Sequence, residues 1–288
     1  MKIAIGTAQF GMKYGISNVG GKVSQESCKE IIKYAASVGI NTIDTAMTYG
    51  DSEAVLGNIG VKAFKVITKL PEVPEYIVDV EGWVIKSVKD SISRLGVECV
   101  YGLLLHRPSQ LLEPKGYKII TALKLLKDMG LVKNLGISVS SPNEFEALFD
   151  IYNFDIAQCP FNLVDRRLIN SGWLKKLSTA GVEIHIRSSF LQGLLLIPRE
   201  SIPSKFRAWN ILWDTWDSWM DINKMLPLDT CISYVLSFPE ITRVVVGVET
   251  QSQLSDIIRA ANRTTINSYP NISSDMTDLI NPANWNNL

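Results

Sequence analysis

The chain is poor in histidine, has no paired cysteines, carries no net charge and lacks a long apolar run. Only two histidines occur, His106 and His185. A metal hydrolase needs several imidazole and carboxylate ligands clustered at strand ends, so no metal ligand is assigned. The four cysteines, Cys28, Cys99, Cys159 and Cys231, lie far apart and form no Cys-x-x-Cys pair. That spacing argues against a zinc finger or a disulfide framework and for free buried thiols. Lysine plus arginine number 29, and aspartate plus glutamate 29. A chain so balanced has no electrostatic footprint for nucleic acid, although a local basic pocket for a phosphate is compatible with it. No stretch approaches the roughly 18 apolar residues that cross a bilayer, so no membrane partner is expected. Residues 1–7 hold too short an apolar run for a secretory signal, and the expected location is the cytoplasm. Two Asn-x-Ser/Thr triplets, at Asn262 and Asn271, then mean little.

No low-complexity tract or Pro/Gly/Ser linker divides the chain, which reads as one domain over 1–288 with 264–288 as a C-terminal tail. What recurs is a junction: a helical stretch ends in glycine, an apolar residue follows, and a strand begins. It occurs at Gly39-Ile40, Gly96-Val97, Gly130-Leu131 and Gly181-Val182. Glycine suits the place because it takes positive φ just past a helix end. Short apolar or β-branched runs predict strands at 3–7, 42–44, 65–68, 101–106, 132–137, 155–158, 182–187 and 243–248. Between them lie one-sided helical patterns. Cys28, Ile31, Ile32 and Ala35 follow helical spacing after a candidate N-cap, Ser24; Ile119, Ile120, Leu123 and Leu126 form a similar stripe. Dividing 288 residues by eight gives 36 per unit, a reasonable βα length. Eight alternations predict a closed (β/α)8 barrel, which at about 250 residues leaves no spare domain. A doubly wound open sheet fits the alternation too, but its usual Gly-x-Gly-x-x-Gly turn after the first strand is missing.

In such barrels chemistry gathers at the C-terminal strand ends. Polar groups follow the apolar runs there: Asp44 with Tyr49 five residues on, Lys69, His106, Ser138, Gln158 and Arg187. Each has an ordinary explanation alone: a solvated lysine, a core histidine, a packed tyrosine, a helix-capping aspartate. Their joint occurrence on consecutive strands is harder to dismiss. Reducing a carbonyl needs hydride on carbon and a proton on oxygen. A phenol, with an ordinary pKa of about 10, keeps a proton available near neutrality. A nearby ammonium favours phenolate, a carboxylate keeps that ammonium charged, and an imidazole can orient the oxygen. Tyr49 is therefore the expected general acid, Lys69 the charge that tunes it, Asp44 the partner of Lys69, and His106 the orienting group.

The pattern Asp44-Thr45-Ala46-x-x-Tyr49-Gly50, then Lys69, then His106, resembles the aldo-keto reductase tetrad. So do Gly6-Thr7-Ala8-Gln9-Phe10-Gly11, Ser52-Glu53-x-x-Leu56-Gly57 and Gly136-Ile137-Ser138. The likeness runs from about residue 1 to 262, and the order and spacing of the motifs make it specific. It implies NAD(P)H-dependent reduction of an aldehyde or ketone, with the cofactor extended across the barrel mouth. The implied cofactor contacts fall on Thr7, Ser138, Gln158, Arg187, Ser188, Gly247, Val248 and Gln253. Ser138 and Gln158 match positions that hold the nicotinamide carboxamide. The family often has asparagine after that serine, where this chain has Val139, and an aromatic where it has Arg187. A guanidinium can lie on a ring or grip an anion, so Arg187 is open to pyrophosphate, nicotinamide or an anionic substrate. The segment 247–254 matches the pocket for the adenosine 2′-phosphate. Members preferring NADPH often carry lysine or arginine there; this chain has Gly247 and Gln253, with Glu249 close by. The family pattern favours NADP(H) and the local residues NAD(H), leaving NADP(H) slightly ahead.

Trp209, Trp213 and Trp216 share a helical face, with Trp219 beyond. They read first as a helix packed on the barrel wall, and second as a lid whose indoles stack on a sugar. The opening Gln9-Phe10-Gly11-Met12-Lys13-Tyr14-Gly15-Ile16 resembles a branch from bacterial carbohydrate pathways, implying a keto-sugar or sugar aldehyde. The tail is expected to pack on the barrel, and His185 to be structural. No oligomeric state is implied. A rival reading is a cofactor-binding regulatory or redox-sensing protein with little turnover; the complete tetrad opposes it, while Arg187 and Val139 mildly favour it.

Overall fold

Eight parallel strands close into a barrel in the order of the sequence, β1 to β8. They are β1 (Ile3–Gly6), β2 (Thr42–Asp44), β3 (Lys65–Leu70), β4 (Val100–Leu105), β5 (Val132–Ser138), β6 (Ile156–Pro160), β7 (Glu183–Arg187) and β8 (Ile241–Gly247). This computed structural model describes residues 1–263, 266 and 268–288. Thr264, Thr265 and Asn267 lie outside the described residues, and with them the head of the expected tail and the third position of the Asn262 triplet. The architecture is the expected (β/α)8 barrel. Three strands extend past their sequence-read ends: β3 runs to Leu70, β5 to Ser138 and β6 to Pro160. The added residues pair with the neighbouring strands, Leu70 with Leu105, Ser138 with Gln158 and Pro160 with Arg187.

Helices cover the outer face because each is apolar on one side. The helix Gln25–Ser37 buries Cys28, Ile31, Ile32 and Ala35, and Ser24 caps it by accepting from the Ser27 amide at 3.1 Å. Gly39, Gly96, Gly130 and Gly181 all take positive φ at the helix-to-strand junctions. Among the described residues, no helix is long and apolar enough to cross a membrane.

Inside the barrel, Ile67, Leu104 and Ile156 form a dry plug, each with no measurable exposure. Gly102 and Gly136 make it possible. A Cβ on Gly102 would press on Ile156 and Ile67, and one on Gly136 would strike the Ile156 carbonyl and Leu104. Toward the strand N-termini lies a polar group: the Tyr101 hydroxyl donates to Glu183 at 2.5 Å, and His185 Nε2 meets the other Glu183 oxygen at 3.2 Å. The hydrogen bond from His185 leads the effects that hold the Glu183 carboxyl down at about 2. Toward the C-termini, beyond the plug, lie Asp44, Lys69 and Gln158. The plug thus separates two polar layers, and the second of these carries the candidate site.

The Trp209–Trp219 stretch forms the turn and helix Asn210–Asn223 in the long β7–β8 connection. Trp209, Trp213 and Trp216 are buried. Trp213 donates to the Phe206 carbonyl at 3.0 Å, and Trp209 points its N–H at Met276 Sδ, 3.2 Å away. Phe206 stacks edgewise on Trp285, centroids 4.9 Å apart. The indoles therefore pack largely against this connection and the C-terminal segment, and none is among the residues lining the cleft at the ends of β1, β2, β7 and β8.

Candidate active site

Tyr49 stands on the short loop after β2, and two close approaches fix that loop. A Cβ on Gly11 would collide with the Tyr49 carbonyl, and one on Gly50 with the Gly11 carbonyl; Gly50 also takes φ 55°. The two segments can touch only because both are glycine there. The Met47 amide donates to the Lys69 carbonyl at 3.2 Å, tying the loop to β3. Ser52 then bridges to β1, donating to the Thr7 carbonyl at 2.9 Å. Glu53, almost wholly buried, accepts from Thr68 and Ser91 at 2.6 Å each and from Arg94 at 2.6 and 2.9 Å. The Gly11, Gly50, Ser52 and Glu53 motif residues are thus a scaffold that aims Tyr49 and Lys69.

Lys69 is 1% exposed and its Nζ lies 2.6 Å from Asp44 Oδ2. It also donates to the Thr45 carbonyl at 2.9 Å and makes a long contact of 3.5 Å with the Tyr49 hydroxyl. Burial by itself would lower the ammonium's pKa; the Asp44 carboxylate and the Tyr49 phenol outweigh it, and the net shift is upward. The other Asp44 oxygen accepts from Gln158 Nε2 at 2.7 Å, a bond that crosses the barrel from β6 to β2. Ser138 in turn donates to Gln158 Oε1 at 3.4 Å. Gln158, Asp44, Lys69 and Tyr49 therefore form one hydrogen-bonded chain.

His106 follows β4, and its ring meets that of Tyr49 edge-on, centroids 6.1 Å apart. Its Nδ1 lies 3.3 Å from the Thr48 hydroxyl. With Thr48 donating, the neutral ring carries its proton on Nε2, a tautomer assigned from that contact. Loss of hydration, then the fields of Lys69 and Arg187, hold the imidazole down at about 4, so it is neutral at physiological pH.

Beside this group opens a cleft of about 250 Å³ between the β1, β2, β7 and β8 ends. Thr7, Asp44, Tyr49, Arg187, Ser188, Gly247, Val248 and Gln253 line it; Lys69, His106, Ser138 and Gln158 do not. Thr7 lies at its floor with its hydroxyl engaged, donating to the Asp44 carbonyl at 3.1 Å and lying 2.9 Å from Ser52 Oγ, whose one proton the Thr7 carbonyl and hydroxyl share. Gln253 accepts from the Glu249 amide at 2.7 Å, while its own amide donates to Thr250 at 3.2 Å, a reciprocal cap on the helix Gln251–Ala261. Val139 is buried, and its carbonyl accepts from Arg187 Nη2 at 3.0 Å.

Sequence reasoning assigned no role to Tyr14, Ser189, Gln192 or Asp256, all of which line the cleft. Gln192 donates to the Tyr14 hydroxyl at 3.3 Å and accepts at its carbonyl from the Ile16 amide at 3.1 Å, joining two loops across the opening. Ser189 Oγ is buried without a partner. A half-buried phenol joined to a buried ammonium–carboxylate pair, beside a neutral imidazole, can deliver a proton to a bound oxygen and stabilise the phenolate left behind.

A family model described as the Aldo/keto reductase family matches residues 2–273. YqkF of Bacillus subtilis (strain 168), named as an uncharacterized oxidoreductase, is 25% identical over 252 residues, 81% of this chain and 81% of its own. The NADH-specific methylglyoxal reductase of Escherichia coli (strain K12) is 25% identical over 277 residues, 84% of this chain and 80% of its own. The holo form of aldo-keto reductase AKR11C1 from Bacillus halodurans superposes with a TM-score of 0.73 at 18% identity, covering 92% of this chain and 88% of that one. The chain belongs to the aldo/keto reductase family of carbonyl-reducing oxidoreductases.

Proposed function

We propose that the protein reduces an aldehyde or ketone with a reduced nicotinamide dinucleotide, Tyr49 being the proton donor. The observation that carries this reading is the chain Gln158–Asp44–Lys69–Tyr49 beside the neutral His106 ring. The cleft fits an elongated ligand of that kind. Gly6 and Gly247 pair across its floor, a Cβ on Gly247 would strike Gln9, and the unpartnered Ser189 hydroxyl and Arg187 guanidinium are available to an anion. When bound, the nicotinamide supplies hydride to the carbonyl carbon. Tyr49 passes its phenolic proton to the oxygen, giving the alcohol. His106 donates from Nε2 to the same oxygen and orients it. Lys69 stabilises the phenolate that remains, while Asp44, Gln158 and the Thr45 carbonyl keep the ammonium in place. Positioned acid catalysis of this sort contributes about 10²–10⁴ in rate.

We further favour NADH over the NADPH that the family pattern placed slightly ahead. Glu249 and Asp256 line the cleft beyond β8, and Arg187, on β7, is the one lysine or arginine among the lining residues. Burial alone raises the Glu249 carboxyl, with no cation acting on it. A carboxylate there repels a 2′-phosphate and suits a ribose hydroxyl. One relative is itself named as NADH-specific, which supports the same preference. The hydroxyls of Tyr14, Ser17 and Ser189 and the amide of Gln192 on the lining suit small polar carbonyl compounds, sugar aldehydes and keto-sugars included. A cytoplasmic setting is supported by four free thiols, three of them buried. The test is oxidation of NADH and NADPH, followed by absorbance, against a panel of sugar aldehydes, keto-sugars and methylglyoxal. Turnover with NADH preferred is expected; cofactor binding without consumption on any member would favour a regulatory binder.

A further inference from the structure

Arg187 is the cleft's unbalanced cation. Its Nη2 donates to the Val139 carbonyl at 3.0 Å and its Nη1 to the Ser188 hydroxyl at 3.4 Å, both neutral acceptors. Among the described residues no carboxylate stands within ion-pairing distance of it, whereas Lys69 is balanced by Asp44 at 2.6 Å. Of the other acids on the cleft wall, Asp256 pairs with Arg259 at 2.9 Å, and Glu249 stands beyond the end of β8, toward the adenosine side of the proposed cofactor. One net positive charge therefore remains at the Tyr49 end.

That charge is held in position. Ser188 takes φ 63°, a left-handed conformation that costs a non-glycine residue, and the turn is secured from behind. The buried Asn162 donates from Nδ2 to the Ser188 carbonyl at 3.0 Å, and the Phe161 amide donates to the Arg187 carbonyl at 3.1 Å. The guanidinium field reaches His106, where it helps Lys69 suppress protonation.

The oxidised nicotinamide ring is a cation and the dihydronicotinamide is neutral. We propose that Arg187 makes the cleft discriminate between these two states, so that the reduced cofactor is retained and the oxidised one expelled. The inference rests on the nicotinamide reading above, because a ring that serves Tyr49 shares the cleft with Arg187. At separations of about 5–10 Å and an effective dielectric near 20, two unit charges disfavour the oxidised form on the order of tenfold to a few hundredfold. Such a bias suits reduction: product cofactor leaves readily, and the reverse oxidation starts from a weakly bound form.

Quenching of intrinsic fluorescence gives Kd for NAD⁺ and NADH separately in the wild type, Arg187→Met and Arg187→Lys, with Arg187→Gln as a second neutral variant should methionine impair folding. The expected ratio Kd(NAD⁺)/Kd(NADH) is well above one in the wild type. It falls by about tenfold or more in the neutral variants and stays near the wild-type value in the lysine variant. A ratio unchanged by charge removal overturns the inference alone. So does equal weakening of both forms, which would assign Arg187 to the diphosphate they share. If the wild type binds NADP⁺ and NADPH instead, the same ratio is read on that pair; failure to bind any of the four forms sinks the nicotinamide reading and this inference with it.

Discussion

Replacing Lys69 by methionine should destabilise the barrel far more than removal of a surface lysine. The ammonium is 2.6 Å from Asp44 Oδ2, with side-chain exposures of 1% and 5% for the two partners. The substitution would leave the Asp44 carboxylate in the barrel with the Gln158 amide as its remaining side-chain partner. Breaking a buried pair from one side costs about 3–5 kcal/mol, because an uncompensated charge stays behind. For a chain of this size that corresponds to a fall in Tm on the order of 10 °C. The double variant Lys69→Met with Asp44→Asn removes both charges and should recover more than half of the loss. The pH dependence has a definite sign. The folded Lys69 pKa lies above its ordinary value of 10.5, so its stabilisation is complete below that value and is lost as pH rises through the folded pKa. The gap between wild type and Lys69→Met should therefore be flat from about pH 6 to 9 and narrow only in strong alkali. Thermal melts followed by circular dichroism across that range provide the assay. A Lys69→Met protein melting within about 2 °C of the wild type would refute a buried, charged pair.

Three further outcomes are expected. Proton NMR titration should place the His106 imidazole near 4, far below the ordinary 6.5, and Arg187→Met should raise it; a wild-type value at or above 6.5 would contradict the reasoning. Gly11→Ala pushes on the Tyr49 carbonyl, so turnover should drop about 10²-fold while NADH still binds, measured by steady-state rates beside fluorescence titration. Glu249→Lys replaces a repulsive carboxylate with a cation and should lower KM for NADPH by about tenfold or more; an unchanged KM would place Glu249 outside the adenosine site.

Local rules made the barrel legible. The junction glycines at 39, 96, 130 and 181 and the one-sided stripe through Cys28 and Ala35 each reflect a requirement met within a few residues, and the structure satisfies them. Tyr49, Lys69, Asp44 and His106 could be named because strand ends converge in this architecture whatever lies between them. Longer-range pairings left no local trace. Gln158 crosses the barrel to Asp44, 114 residues away, and Gln192 meets Tyr14 across 178 residues. In the β7–β8 connection Trp209 meets Met276 and Phe206 meets Trp285, both in the C-terminal segment, which periodicity cannot show because it gives a buried face without naming what covers it. Gln253, expected as a cofactor contact, lines the cleft and also caps its own helix through its side-chain oxygen, a second role that its Thr250-x-x-Gln253 spacing encodes.

Tyr49→Phe removes one hydroxyl and leaves the Lys69–Asp44 pair in place, so it isolates the proton donor. NADH affinity should stay within a few-fold of the wild type while kcat on a responsive aldehyde falls by about 10²–10⁴. A Tyr49→Phe enzyme that turned over at the wild-type rate would show that the proton comes from elsewhere.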